Sequence, residues 1–116
     1  MELKSALHAL SALSQETRLT VFQRLVTAGP DGMAAGDLAS FAQARPNTMS
    51  AHLAVLANAG LVRAERDGRS IRYTADMETM TALMGFLVQD CCGGRPEICG
   101  PLVAELSCKT GSREQS

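Results

Sequence analysis

At 116 residues, with 46% hydrophobic and 20% charged side chains, the chain has the length for one domain with a modest core and an ordinary globular composition. Lacking Trp and holding a single Tyr, it is too poor in aromatics to favour a β-sandwich, and its Leu, Ala and Met content suits packed helices. The net charge of −1 hides an asymmetry: residues 45–75 carry five arginines against Glu65 and Asp67, a local +3, while residues 76–116 carry three basic against six acidic side chains.

Screening acts over about 8–10 Å, so a polyanion meets the local charge of the middle segment more than the total. No apolar run reaches the roughly 18 residues needed to span a bilayer. Glu2, Lys4 and His8 interrupt the apolar positions that a secretory leader requires, so a cytoplasmic location is expected. In that reducing compartment, four cysteines between positions 91 and 108 read as metal-binding or redox-active, not as a disulfide framework.

Leu3, Leu7, Leu10 and Leu13 recur at helical spacing and predict a first helix ending near Ser14. Ser14 is the expected N-cap of a second helix, with Glu16 in its positive first turn. Leu19, Phe22, Leu25 and Val26 form the apolar stripe of that helix, and Gly29-Pro30 stops it. The stretch "GMAAGDLASFAQ" predicts a short third helix with Leu38 and Phe41 inward. Pro46 opens a fourth, at the position where a missing N–H costs nothing, and this helix runs through Met49, Leu53 and Leu56 to Gly60. The period then drops from helical to twofold. "LVRAER" and "RSIRYT" flank Asp67-Gly68, a pair suited to a two-residue type I′ hairpin turn. A fifth helix follows from about Asp76, apolar at Met77, Met80, Met84, Leu87 and Val88, and "TGSREQS" at residues 110–116 reads as disordered.

The expected fold is therefore mainly α with a β-hairpin wing (α+β), in the order α-α-α-α-β-β-α. The third helix, a short turn and the fourth helix make a helix-turn-helix candidate, and the hairpin directly after them makes a wing. Opposite Met49, Leu53 and Leu56, the fourth helix carries Asn47, Thr48, Ser50, Ala51 and His52. Small polar side chains suit a helix that enters a major groove, where bulk obstructs approach while hydroxyls, amides and methyls read base edges. Arg45 stands at the helix start to reach a phosphate, Arg66 and Arg69 flank the hairpin tip, and Arg72 projects from the second strand, placed to straddle the DNA backbone or enter a minor groove.

Three stretches, "LSQETRLTVFQRLV", "NTMSAHLAVLANAGLV" and "RAERDGRSIRYT", resemble the landmarks of ArsR-type (arsenic repressor) winged-helix regulators over roughly residues 5–88. The resemblance implies a homodimer joined through its first and last helices. It also implies a repressor that binds an operator–promoter palindrome in double-stranded DNA and leaves it when an inducer binds.

Members of that family sense different metals at different places. One site is a Cys-x-Cys on the third helix just before Asp-Leu; here the stretch is "GMAAGDLA", without thiols. Another uses His and Asp on the last helix, but residues 76–90 hold Asp76, Glu78 and Asp90 and no histidine. The thiols remain. Cys91 and Cys92 are adjacent and point about 100° apart, which disfavours a disulfide between them yet lets both reach one small ion. Gly93-Gly94 lets the chain reverse and Pro96 stiffens the return that brings Cys99 across.

Three thiolates without imidazole select a soft centre. As(III) fits, its lone pair filling the fourth direction, with Sb(III) as the close alternative, whereas structural zinc wants four donors. Tail-borne Cys-Cys…Cys also resembles the arsenite-responsive ArsR subgroup, and Cys108 reads as a bystander. Met80, Met84, Leu87 and Cys91 recur at helical spacing, which places Cys91 on the stripe assigned to the dimer seam.

The organisation expected is a DNA-binding and dimerisation domain at residues 1–90, a cysteine-rich inducer segment at 91–108 and a tail at 109–116, with no organic cofactor and no enzymatic activity. Alternatives of the same fold are a thiol redox switch, pairing Cys99 with Cys91 or Cys92, and a Cd, Zn or Pb sensor with Cys108 as fourth donor. From other classes, a thiol enzyme or metallochaperone lacks a phosphate-cradling loop and a nearby general base, and a plain helical interaction module leaves the wing arginines unexplained.

Overall fold

A computed structural model of the chain describes residues 1–90; Cys91, Cys92, Cys99, Cys108 and the tail at 109–116 lie outside the described residues. Two compact units divide between Thr81 and Ala82. The first holds α1 (Leu3–Leu13), α2 (Glu16–Ala28), a 3-10 turn (Gly29–Asp31), β1 (Met33–Ala34), α3 (Ala35–Ala42), α4 (Pro46–Asn58), β2 (Val62–Asp67), β3 (Ser70–Ala75) and the start of α5. α5 spans Met77–Gly85 and passes into a π-helical turn at Phe86–Asp90.

The core of the first unit is built from Ala6, Ala9 and Ala12 of α1, Val21, Phe22 and Leu25 of α2, Leu38 of α3, and Met49, Leu53 and Leu56 of α4, closed by Leu61 and Val62. The α4 stripe at i, i+4 and i+7 is buried as its spacing predicts. On α1 the buried residues are alanines, which let the helix approach its neighbours closely, while Leu3, Leu7 and Leu10 face solvent at 62, 57 and 37% exposure. Two expectations about faces are corrected. On α2 and α3, Leu19, Val26 and Phe41 are exposed; Phe41 instead carries the Arg24 guanidinium over its ring, 5.2 Å from the centroid.

Local geometry departs from expectation at four further points. Ser14 closes α1, its hydroxyl donating to Ser11 O at 2.8 Å, and the N-cap of α2 is Gln15, whose side chain accepts from Arg18 N–H at 2.8 Å. Met33 and Ala34 are extended, so α3 is shorter than expected, and they pair antiparallel with β3 (Met33↔Tyr73, Ala34↔Arg72), giving a three-stranded sheet in the order β1-β3-β2. Gly32, at φ +65°, permits that pairing, because any Cβ there would run into the Tyr73 carbonyl. In the hairpin, Asp67 pairs with Ser70, so the turn residues are Gly68-Arg69, one step later than expected. Positive φ at Gly68 and not at Arg69 is the sign pattern of a type II′ turn, whose first central position takes glycine. Finally, α5 passes into a π-helical turn at Phe86–Asp90 where uniform α spacing is expected, and the phase of Cys91 itself lies outside the described residues.

Candidate nucleic-acid interface

Both ends of the helix-turn-helix are closed by backbone bonds that its sequence makes available. At the end of α3, Gln43 adopts left-handed φ/ψ (55°, 42°), Ala44 N–H reaches Ala39 O at 2.9 Å and Gln43 N–H reaches Ser40 O at 3.2 Å. This is the paired bonding of a Schellman motif, which turns the chain within three residues into α4. The end of α4 repeats it with a glycine: Leu61 N–H meets Leu56 O at 3.0 Å and Gly60 N–H meets Ala57 O at 2.9 Å, with Gly60 at φ +78°. Leu56 and Leu61 are both fully buried, so the "ANAGLV" stretch fixes the angle at which the wing leaves the helix.

α4 begins with Arg45 as an extended N-cap and Pro46 in the first turn, and no acidic side chain offsets its N-terminal dipole. Opposite the buried stripe, Asn47, Thr48, Ser50 and Ala51 are exposed and His52 is half-buried. Asn47 Oδ1 accepts Thr48 N–H at 3.0 Å, which leaves the amide NH₂ directed away from that bond and open to a ligand. His52 is tied at one ring nitrogen: Arg18 Nη1 lies 3.3 Å from His52 Nδ1.

The arginines sort into two groups. Arg45, Arg66 and Arg69 are exposed and have no side-chain partner among the described residues. Arg72, expected on the DNA face, is engaged internally, donating to Asp31 O at 3.1 Å and Gly32 O at 3.4 Å, with Asp67 at 3.7 Å. It holds the β1 edge to the hairpin. Arg63 likewise joins Asp76 at 3.1 Å and Glu78 at 3.4 Å. That bonding holds the Asp76 carboxyl below its ordinary range and raises the Arg63 guanidinium further. Of the five arginines, Arg45, Arg66 and Arg69 thus have no partner among the described residues, while Arg63 and Arg72, their side chains 60 and 41% exposed, are engaged by acidic or carbonyl oxygens.

Sequence reasoning missed Arg18 and the full role of Asp76. Asp76 caps α5, its Oδ1 accepting Glu78 N–H at 3.1 Å and Thr79 N–H at 3.2 Å, and the Asp-x-Glu spacing before an apolar run was the available signal. Arg18 shows no such local signal, since its partners Ala12 and His52 lie 6 and 34 residues away. Among the described residues no three His, Cys, Asp or Glu side chains gather to hold a metal, and no helix is long and apolar enough to cross a membrane. A groove of about 890 Å³ opens between α2, the hairpin and the start of α5, and none of the α4 face lines it.

Residues 13–65 match the family described as "Helix-turn-helix domain". No curated protein matches the chain. Among solved structures it is similar to a "Possible transcriptional regulator for arsenical resistance", at 29% identity and TM-score 0.61 over 84% of this chain and 94% of the other. It is also similar to the homodimeric winged helix-turn-helix DNA-binding domain of a possible ArsR-family regulator from Mycobacterium bovis, at 25% identity and TM-score 0.63 over 78% and 81%. An ArsR-like transcriptional regulator from Rhodococcus sp. RHA1 shares the fold, at 24% identity and TM-score 0.64 over 97% and 92%.

Proposed function

We propose that the chain, a DNA-binding winged helix-turn-helix transcription regulator similar to the ArsR family, is a homodimeric repressor released from its operator by trivalent arsenic. The observation that carries the DNA half is the pairing of opposite faces on α4. Met49, Leu53 and Leu56 anchor the helix in the core, and Asn47, Thr48, Ser50 and Ala51 stand outward together with Arg45, Arg66 and Arg69, which have no partner among the described residues. The small face enters the major groove and reads base edges, and the arginines neutralise phosphates on either side. Arg72, bonded within the sheet, serves by stiffening the wing.

Dimerisation supplies the second half-site of a palindrome, with the two α4 helices about 34 Å apart, one turn of DNA. The exposed stripe of Leu3, Leu7 and Leu10 on α1 supports such a seam, as does the homodimeric state of the Mycobacterium bovis domain. The last helix completes the seam on the family pattern.

The inducer half rests on the chemistry of Cys91, Cys92 and Cys99 and on the similarity to the possible arsenical-resistance regulator. Arsenous acid exchanges its three hydroxyls for three thiols: three S–As bonds form and three waters leave, with no change of oxidation state. Sb(III) reacts in the same way. The helical geometry changes at Phe86–Asp90, directly before Cys91, so closing a ring of thiolates there acts on the end of α5 and through it on the spacing of the reading helices. An effector that binds the DNA-free arrangement more tightly lowers operator affinity by the same factor.

The test is release of a selected operator duplex titrated with arsenite, antimonite, methylarsenite, cadmium and zinc. Arsenite releases the wild-type protein, Cys91→Ser, Cys92→Ser and Cys99→Ser each abolish the response, and Cys108→Ser leaves it intact. Release by cadmium or zinc that is lost in Cys108→Ser contradicts the three-thiol assignment.

A further inference from the structure

Arg18 is a half-buried cation whose three donor contacts are all internal. Its backbone N–H donates to Gln15 Oε1 at 2.8 Å, its Nε donates to Ala12 O at 2.7 Å, and its Nη1 faces His52 Nδ1 at 3.3 Å. One guanidinium thus spans the last turn of α1 and the reading face of α4. A guanidinium has no lone pair to offer, so the Nη1–Nδ1 contact is a hydrogen bond only if Nδ1 is the acceptor. A neutral imidazole carries its single hydrogen on the other nitrogen. Arg18 therefore holds His52 in the Nε2–H form.

We propose that Arg18 is a positioning residue that sets base specificity, by making His52 a hydrogen-bond donor and denying it the role of acceptor. The proposal rests on the DNA-binding reading of α4. An N–H donor pairs with guanine O6 or N7, adenine N7 or thymine O4, and is mismatched against the cytosine and adenine amino groups. Without the Arg18 bond the ring places its hydrogen on either nitrogen, and both kinds of base edge become partners. The half-buried position of His52 sharpens the effect, since a partly desolvated donor facing another donor loses its hydration without gaining a bond. Two of the three guanidinium nitrogens are engaged with Ala12 and His52, so Arg18 is assigned to orienting the ring and not to neutralising a phosphate.

Two readouts on the full chain test this. In DNA-free protein at pH 8, above the ordinary imidazole range, long-range ¹H–¹⁵N correlation spectra report which ring nitrogen of His52 carries hydrogen. The wild type shows Nε2–H. Arg18→Met, and the charge-keeping Arg18→Lys, which lacks the fork that serves two acceptors at once, show a mixture. In selections from duplexes with a randomised core, the wild type prefers an acceptor-edge base at one position per half-site. Arg18→Met relaxes that position roughly three- to tenfold, with its salt dependence unchanged. His52→Ala relaxes the same position, and the double variant goes no further than either single one.

A wild-type His52 with hydrogen on Nδ1, or an Arg18→Met protein that keeps the same base preference, overturns the proposal. A wild type that selects no motif overturns the DNA-binding reading together with it. The two failures are told apart because the ring spectra need no DNA. Melting followed by far-UV circular dichroism verifies that Arg18→Met is folded, and Arg18→Lys carries the test if it is not.

Discussion

Asp76 performs two tasks with one carboxylate: Oδ1 caps α5 through the Glu78 and Thr79 amides, and Oδ2 meets Arg63. These bonds, the Arg63 bond foremost, favour the charged form and lower its pKa relative to the unfolded chain. A lowered folded-state value means that the stabilisation is complete above the unfolded value, about pH 4, and is lost as pH falls through the folded one. Urea unfolding at several pH values should show wild type more stable than Asp76→Asn by a constant margin from pH 5 to 7. The margin should shrink below about pH 4. Removing the cap as well, in Asp76→Ala, should cost about 1 kcal/mol at neutral pH. Gln43 supplies the opposite case, a side-chain-bearing residue in the left-handed region that glycine occupies at the end of α4. Gln43→Gly should raise stability by about 0.5–1 kcal/mol in the same assay, because the relieved strain exceeds the added chain entropy.

At the scale of elements, α4 separates fold from function along one helix. Leu53 is fully buried, so Leu53→Ala should cost about 2–5 kcal/mol in unfolding experiments. Ser50 is exposed, so Ser50→Ala should stay within about 0.5 kcal/mol while weakening duplex binding. This helix was legible because the proline at its start, the i, i+4, i+7 stripe and the Ala-Gly-Leu terminus all agree. α1 was legible as a helix but not by face. Periodicity finds an apolar stripe without saying whether it packs on its own chain or stands exposed, and here the alanines, not the leucines, are buried. β1 was invisible because two residues have no alternation to detect, and its pairing depends on β3, some 40 residues on. On the wing, a charge count could not tell Arg66 and Arg69 from Arg63 and Arg72, since pairing is settled by tertiary neighbours.

At the scale of the molecule, the exposed stripe of Leu3, Leu7 and Leu10 is the surface that a second copy should cover. Leu7→Glu should shift sedimentation toward monomer and lower operator affinity, with little change in the melting of a dilute sample. A homodimer would present six arginines, from Arg45, Arg66 and Arg69, that have no partner among the described residues. If each neutralises a phosphate, the plot of log affinity against log salt should have a slope of about −5, and Arg69→Ala should reduce its magnitude by about 2. The central claim is that trivalent arsenic, held by Cys91, Cys92 and Cys99, ends DNA binding. Its most direct test is fluorescence anisotropy of a labelled operator duplex bound by the reduced protein, followed as arsenite is added. The wild-type complex should dissociate as arsenite approaches one per protomer, and a variant with all three cysteines changed to serine should stay bound throughout. Wild-type anisotropy unmoved by arsenite, or equal release of the triple-serine variant, would contradict it.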